Sequence, residues 1–414
     1  TVRYDGSSRF EDHWALCPAF AFAWNFKEEA FLKDVDVMNE GKLRLSYGQT
    51  GQQEIGSDYA YFASYNETFN QQGDGHWYPV LGDGNLQRPN AYNKSLKWET
   101  TTTYNAGLDL GFFDNRFTLN ADVYYRETTD LINDVYVSAG SNFRNKVKGN
   151  IGSLENKGFE VMATFRPIQK QNLSWEFSVN AAYNKNEVTE LIKSEGDDYF
   201  VSTGGISAGT GNECQAFVVG KPAHVFHVYQ QVYDENTGLP IEGVYVDRNG
   251  DGEITTADKY YYKQAMAPWT AGFSTKVNYK NWDFGMNLRA SFGNYVFNDT
   301  QAGNAYCGIA TVSSSNHLEN RPMTARKLNF QSYDNALSDY FVQNGSFLKC
   351  DNITVGYSFN NAFGNKINGR VYAAASNVFT ITKYEGVDPE VFGGIDNNIY
   401  PRPFNVLVGL SLNF

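Results

Sequence analysis

The stretch "RFTLNADVYYR", Arg116 to Arg126, decides the fold. Phe117, Leu119, Ala121, Val123 and Tyr125 interleave with Arg116, Thr118, Asn120, Asp122 and Arg126. Successive side chains of a strand point to opposite faces, so the alternation makes one apolar and one polar face; a helix would need a period of about 3.6. The pattern returns along the chain. In "SWEFSVNAAYN" Trp175, Phe177, Val179, Ala181 and Tyr183 alternate with Ser174, Glu176, Ser178, Asn180 and Asn184. In "DFGMNLRASFG" Phe284, Met286, Leu288, Ala290 and Phe292 alternate with Asp283, Asn287, Arg289 and Ser291. Shorter copies run through Leu43, Leu45 and Tyr47, through Tyr104, Ala106, Leu108 and Leu110, and through Phe159, Val161, Ala163 and Phe165.

A soluble antiparallel sandwich with one wet face would also alternate. Segment length favours a membrane: about 9 to 11 alternating residues suit a tilted strand crossing a bilayer, whereas soluble strands usually run about 5 or 6. The expected strands are Ala15 to Phe26, Lys42 to Gly48, Lys97 to Phe112, Arg116 to Thr128, Gly158 to Arg166, Leu173 to Val188, Trp269 to Tyr279, Trp282 to Phe297, Phe347 to Phe359, Gly369 to Thr382 and Asn405 to Phe414. Tight links at Asp114-Asn115, Pro167 to Asn172 and Lys280-Asn281 alternate with long polar ones at Gly51 to Ser95, Leu131 to Lys157, Glu190 to Pro268 and Asn298 to Gly345. Short periplasmic turns and long extracellular loops give outer-membrane barrels this asymmetry. The expected fold is therefore an all-β transmembrane antiparallel barrel, with its last strand ending on the periplasmic side.

Composition agrees. Of 414 residues, 28 are Tyr and 30 Phe, while only 11 are Pro and 5 Met, a β-rich usage. The formal charge of -12 counts against nucleic acid or an anionic lipid surface as partner. A mean hydropathy of -0.48 does not exclude the membrane, because a barrel is polar inside. No apolar run reaches the ~20 residues of a transmembrane helix, and "TVRYDGSSRF" does not read as a signal peptide.

One segment stands apart from the strands. "DRNGDGEITTAD", Asp247 to Asp258, has the register of an EF-hand calcium loop. Asp247, Asn249 and Asp251 offer side-chain oxygens at positions 1, 3 and 5, Gly252 the turn at 6, and Glu253 a backbone carbonyl at 7. Thr255 sits at 9, and Asp258 stands at 12 in place of the longer bidentate Glu. A solvated Asp/Asn/Gly turn has the same composition. No flanking helices are evident, so a structural calcium staple is expected rather than a sensor. Strand parity puts it in a large extracellular loop, residues 189–268.

The other constellations are weaker. His224 and His227 in "HVFHV" fall on opposite faces of a strand, which does not suit a metal, and His13, His76 and His317 are scattered. "STGGISAGTG", Ser202 to Gly211, lacks the Lys and the strand-helix context of a phosphate cradle. No H-E-x-x-H or P-loop is present, so no enzyme is expected. Cys17, Cys214, Cys307 and Cys350 show no metal spacing; Cys214 and Cys307 both fall in expected extracellular loops, where a disulfide is chemically feasible. Loop aromatics Trp77, Tyr78 and Tyr306 are the candidate ligand contacts, with packing of loop against loop as the competing role.

Several dispersed segments carry a family resemblance. "RYDGSSRF", "KLRLSYGQTGQQEIG", "LKWETTTTYNAGLDLGFFDNRFTLNADVYYRETTDLI", "NIGSLENKGFEV", "VDRNGDGEITTADK", "FLKCDNITVGYSF" and "NVFTITKYEGVDPEV" together resemble the SusC/RagA family of TonB-dependent outer-membrane transporters of Bacteroidetes. The resemblance spans nearly the whole chain. It implies a barrel of about 22 strands with an N-terminal plug, energised through TonB-ExbB-ExbD and capped by a SusD-like surface lipoprotein. The cargo would be oligosaccharides or oligopeptides. The strands identified are about half that number, so residues 1–414 would be a C-terminal part of the barrel, with the remaining N-terminal part of the same transporter supplying plug and first strands. The terminal Phe414, after Val406, Val408, Leu410 and Leu412, resembles the sorting signal of the barrel assembly machinery. A secreted, calcium-stapled β-protein that binds ligand without transport is the alternative.

Overall fold

The computed structural model describes residues 1–56, 58–67, 87–137, 146–191, 199–209, 211–306, 323–332, 336–361, 367–397 and 399–413. A single 12-stranded antiparallel sheet forms a wall. Its strands are β1 (Val2–Gly6), β2 (Trp14–Trp24), β3 (Met38–Gln52), β4 (Glu99–Phe112), β5 (Phe117–Thr129) and β6 (Gly152–Lys170). They continue with β7 (Leu173–Leu191), β8 (Trp269–Tyr279), β9 (Trp282–Phe292), β10 (Phe347–Asn361), β11 (Ile367–Thr382) and β12 (Asn405–Asn413). Each strand pairs with the next in sequence, and among the described residues β1 and β12 leave the two outer edges open.

Every strand expected from alternation is present, with corrected ends. β6 runs on through Pro167, where the register jumps between Phe165 and Ile168, so the turn to β7 shrinks to Gln171 and Asn172. A bulge absorbs the missing amide of Pro167 without ending the ladder. β9 stops at Phe292 rather than Phe297, because Gly293 takes φ 84° and turns the chain out of the sheet. Tyr295–Phe297 then pairs with Val342–Asn344 outside the wall. β1 was not expected at all: five residues ending in a glycine offer too short an alternation.

Register fixes the two faces. The row Arg44, Gly107, Asp122, Glu160, Ala182, Thr270 and Ser291 runs across seven strands on one face. The neighbouring row Leu45, Ala106, Val123, Phe159, Tyr183, Trp269 and Phe292 lies on the other. Aromatic rings gather at both ends of the apolar face. Toward the long connections, Tyr104 lies between Tyr47 and Tyr125 at 5.2 and 6.4 Å, and Phe159, Tyr183 and Trp269 form a cluster. Toward the tight turns, Phe112, Phe117, Phe165 and Phe177 follow one another at 6.0, 4.8 and 4.9 Å, and Trp282 meets Tyr357. The eight residue steps from Phe117 to Tyr125 span about 26 Å along the strand, the height of an apolar band bounded by two aromatic belts.

The described parts of the long connections are folded, not merely polar. Residues Phe200–Gly205, Glu213–Val218, Val225–Tyr229 and Lys259–Gln264 form a separate four-stranded sheet, and Gln231–Tyr233 pairs with Pro240–Tyr245. Phe226, Val228, Phe297 and Phe341 are fully buried in a core that joins this insert to residues 295–306, 328–330 and 336–342. The bridge Tyr229 to Ser338 joins the insert to the connection before β10, and Phe297 to Ile395 binds in the connection before β12. Three connections thus share one core on top of the wall.

Candidate functional site

The polar face carries ionic and amide clusters. Arg44 forks onto two carboxylates: Nε and one terminal nitrogen donate to Asp109 at 2.8 Å, and both terminal nitrogens donate to Asp122 at 2.9 and 2.8 Å. Asn120 and Asn105 donate to the same carboxylates at 2.9 Å. The fork lies over Gly107, whose hypothetical Cβ would stand 2.4 Å from Asp122 Oδ1 and 2.6 Å from Arg44 Cζ. Arg370 and Asp283 arch over Gly356 in the same way. A glycine in the middle strand lets charges two strands apart meet.

Nearer the loops, hydroxyl and amides link up. Tyr124 Oη donates to Asn184 at 2.9 Å; Asn184 and Asn186 donate to Asn156 Oδ1 at 3.1 and 2.9 Å; and Asn186 Oδ1 accepts the Ala223 amide at 2.8 Å. This ladder ties the insert to the wall. It borders a cleft of about 990 Å³, lined by Ser46, Thr103, Asn105, Tyr124, Arg126 and Asn156 among others. A second cleft of about 1010 Å³ adjoins it, and Asp122, Glu160, His224 and Met266 line both.

At the far side an ionic cluster fastens the connection between β11 and β12. Lys349 Nζ, buried in the wall, meets Asp388 at 2.6 Å and Glu390 at 3.1 Å. Arg289 bridges Asp351 at 2.6 Å and Glu390 at 2.5 Å, and Arg402 closes on Glu390 at 2.8 Å. A bulge supplies Asp351: the register skips it between Cys350 and Asn352. The Arg289 guanidinium, helped by Lys349, holds the Glu390 carboxyl down at about 2.

The loop Asp247 to Asp258 adopts the expected turn, with Gly252 at φ 85°. Asp247 accepts the amides of Gly250 and Gly252 at 2.7 and 2.8 Å, and Asp251 accepts that of Glu253 at 2.8 Å. Asn249 donates its side-chain amide to Asp251 at 2.7 Å. Asp258, at position 12, caps the turn. Fully buried, it accepts the amides of Arg248 and Thr255 at 2.8 Å and forms a capping box with Thr255 at the 3-10 turn Thr256–Asp258. These amides, Thr255 foremost, hold its carboxyl below the usual range. Among the described residues no three His, Cys, Asp or Glu side chains converge as a metal cluster.

The other candidates scatter. Tyr306 is buried in the loop core, bridged to Phe330, and is not in either cleft. Trp77, Tyr78 and Cys307 lie outside the described residues. Cys214 is fully buried, and burial pushes its thiol up. His227 stacks on Tyr261 at 4.8 Å and meets Phe200 edge-on; burial brings it down to about 4. The cleft residues themselves were missed. The even-numbered set of β7 contained Asn184, and "GVDPEV" held the acids of the ionic cluster, but a sequence does not show which loops descend onto a wall.

Comparison with known proteins fits this geometry. A family model described as "TonB dependent receptor-like, beta-barrel" matches residues 1–378. The chain is 46% identical over 423 residues to the TonB-dependent receptor SusC of Bacteroides thetaiotaomicron, a match covering 100% of this chain and 42% of that protein. It is 30% identical over 458 residues to the TonB-dependent receptor P3 of Formosa agariphila, covering 43% of it. A solved structure, the RagAB peptide transporter, superposes with a TM-score of 0.79 at 24% identity, covering 100% of this chain and 45% of that one. The chain thus spans less than half the length of these relatives. With the two aromatic belts, this leaves the secreted β-protein without support. The chain belongs to the TonB-dependent receptor-like β-barrel family, and its sheet is part of the wall of an integral outer-membrane barrel with extracellular long loops.

Proposed function

We propose that this wall serves TonB-dependent active import of large nutrients, oligosaccharides or oligopeptides, as the barrel component of a SusCD-like complex. The observation that carries the reading is the pair of adjoining clefts on the lumenal face, lined by amides and hydroxyls, with Asp122, Arg289 and Glu390 paired within the protein and Arg126 and Glu160 left as charges of opposite sign. Such a lining hydrogen-bonds a neutral polar chain without demanding a counter-charge. A SusD-like lipoprotein would seat on the loop core, and TonB-ExbB-ExbD would act through the N-terminal remainder of the same transporter. Mass spectrometry of ligand co-purified with the native complex tests the reading. Oligosaccharide or oligopeptide is expected; a complex carrying neither, whose host takes up both equally well without TonB, would refute it.

The loop Asp247 to Asp258 is proposed as a structural calcium staple. Asp247, Asn249, Asp251 and the Glu253 carbonyl would hold the ion, with Gly252 turning the chain around it. Asp258 would contribute by closing the loop through its backbone amide bonds, or by turning toward the ion from its cap. Its short side chain suits weak binding, in the range of about 10⁻⁴ to 10⁻³ M found for extracellular modules. Calorimetric titration of the detergent-solubilised protein with calcium should detect binding that Asp247→Asn weakens. Unchanged affinity in that variant would remove the loop from the site.

A further inference from the structure

Phe392 is the most exposed large apolar side chain among the described residues, at 105% of the reference exposure, and it lines the second lumenal cleft. A bare aromatic ring on a polar wall asks for an occupant. It is also mounted rigidly. The chain turns around it through Gly393 and Gly394, both at φ 75°, and Gln215 of the insert donates to the Gly393 carbonyl at 2.7 Å. Two residues before it, Glu390 is clamped by Arg289, Lys349 and Arg402. A side chain that merely strayed into water would not be held at both ends.

The surroundings of the ring define the ligand's chemistry. Met162 and Met266, each nearly half exposed, flank the same cleft and offer soft apolar contact. The side chains of exposed Asn180, Thr270 and Glu160 share that cleft and form no hydrogen bond among the described residues. A flat apolar face with unspent donors and acceptors around it matches a pyranose ring, whose C–H face stacks on an aromatic while its hydroxyls point outward. An apolar peptide side chain would match the ring but leave those polar groups facing carbon.

We propose that Phe392 is a stacking platform for a sugar ring of the cargo, and that Lys349 is a positioning residue holding it there through Glu390. This rests on the import reading above and names the ligand class at that site. The test uses the full-length transporter with its lipoprotein partner and measures retention of two probes, a mixed pool of neutral oligosaccharides and a mixed pool of uncharged oligopeptides. Phe392→Ala should lower oligosaccharide retention about tenfold, Phe392→Trp should restore it, and Phe392→Leu should not. Lys349→Met should weaken the wild type but add no further loss to Phe392→Ala. Wild-type retention in Phe392→Ala or Phe392→Leu, loss confined to the peptide pool, or additive losses in the double variant would overturn the proposal. Retention of neither pool by the wild type would instead bring down the import reading on which it stands.

Discussion

The wall and the loop core above it are built on opposite terms. In the wall the large apolar residues face outward: Val123, Trp269, Trp282 and Val408 are all exposed, and the ladder of backbone hydrogen bonds with paired charges on the other face holds the strands. In the loop core the apolar residues face inward, and Phe226, Phe297 and Phe341 are shut off from water like those of a small soluble domain. One protein thus uses two solvents. The wall buries its apolar face in lipid, the loops bury theirs in themselves, and a perturbation should strike one without the other.

The largest effect should come from Phe226→Ala. Removing a fully buried ring from a core drawn from three connections should cost about 3–5 kcal/mol there. Hydrogen exchange should then speed up across residues 199–264, while the heat-modifiable gel migration of the barrel stays as in the wild type. Loss of both together would show one cooperative unit instead of two.

Acidification should separate the regions by a comparable margin. His227 in the folded insert sits at about 4, below its unfolded value of ~6.5, so the unfolded insert takes up the proton first. Its stabilisation is complete above ~6.5 and drains away as pH falls toward 4, by on the order of 3 kcal/mol. Glu390 works in a lower window: held at about 2 against ~4.3 unfolded, it keeps its clamp until pH falls below ~4. At pH 5 proteolysis should nick the insert and spare the strap before β12. Equal cleavage of both would contradict the assignment.

In the other direction, Gly107→Val strikes the wall. A Cβ there would overlap Asp122 and Arg44, so the fork must open, at a cost of about 1–3 kcal/mol. The temperature of the gel-mobility transition should fall, with exchange in the insert unchanged. The smallest effect is expected from calcium. Chelation should loosen only residues 239–267, and loss of the barrel's β-signature on chelation would place the ion elsewhere.

The same contrast explains what could be read from sequence. A strand with one face in lipid and one in water must alternate, so Phe117 to Tyr125 announces itself, and register carries the pattern from strand to strand. The misreadings fell where local geometry overrides the pattern: β9 stops before the turn at Gly293, and β6 passes through Pro167 on a bulge. The loop core has no such periodicity. Phe226, Phe297 and Phe341 meet only because three distant segments fold together, so their burial was not visible, and Tyr306, chosen as a ligand contact, proved to be one of them. Phe392 was hidden for the converse reason: its exposure depends on glycine turns and an ionic clamp whose partners lie on β9 and β10.

Single-cysteine scanning from Phe117 to Tyr125, with the native cysteines replaced, tests most directly whether the two faces meet two solvents. Each variant, in outer membranes, is probed with a water-soluble maleimide and with a lipid-borne quencher of an attached fluorophore. Positions 117, 119, 121, 123 and 125 should resist the maleimide and be quenched from the lipid, and positions 118, 120, 122 and 124 should do the reverse. Uniform labelling along the strand, with no alternation of period two, would contradict the account.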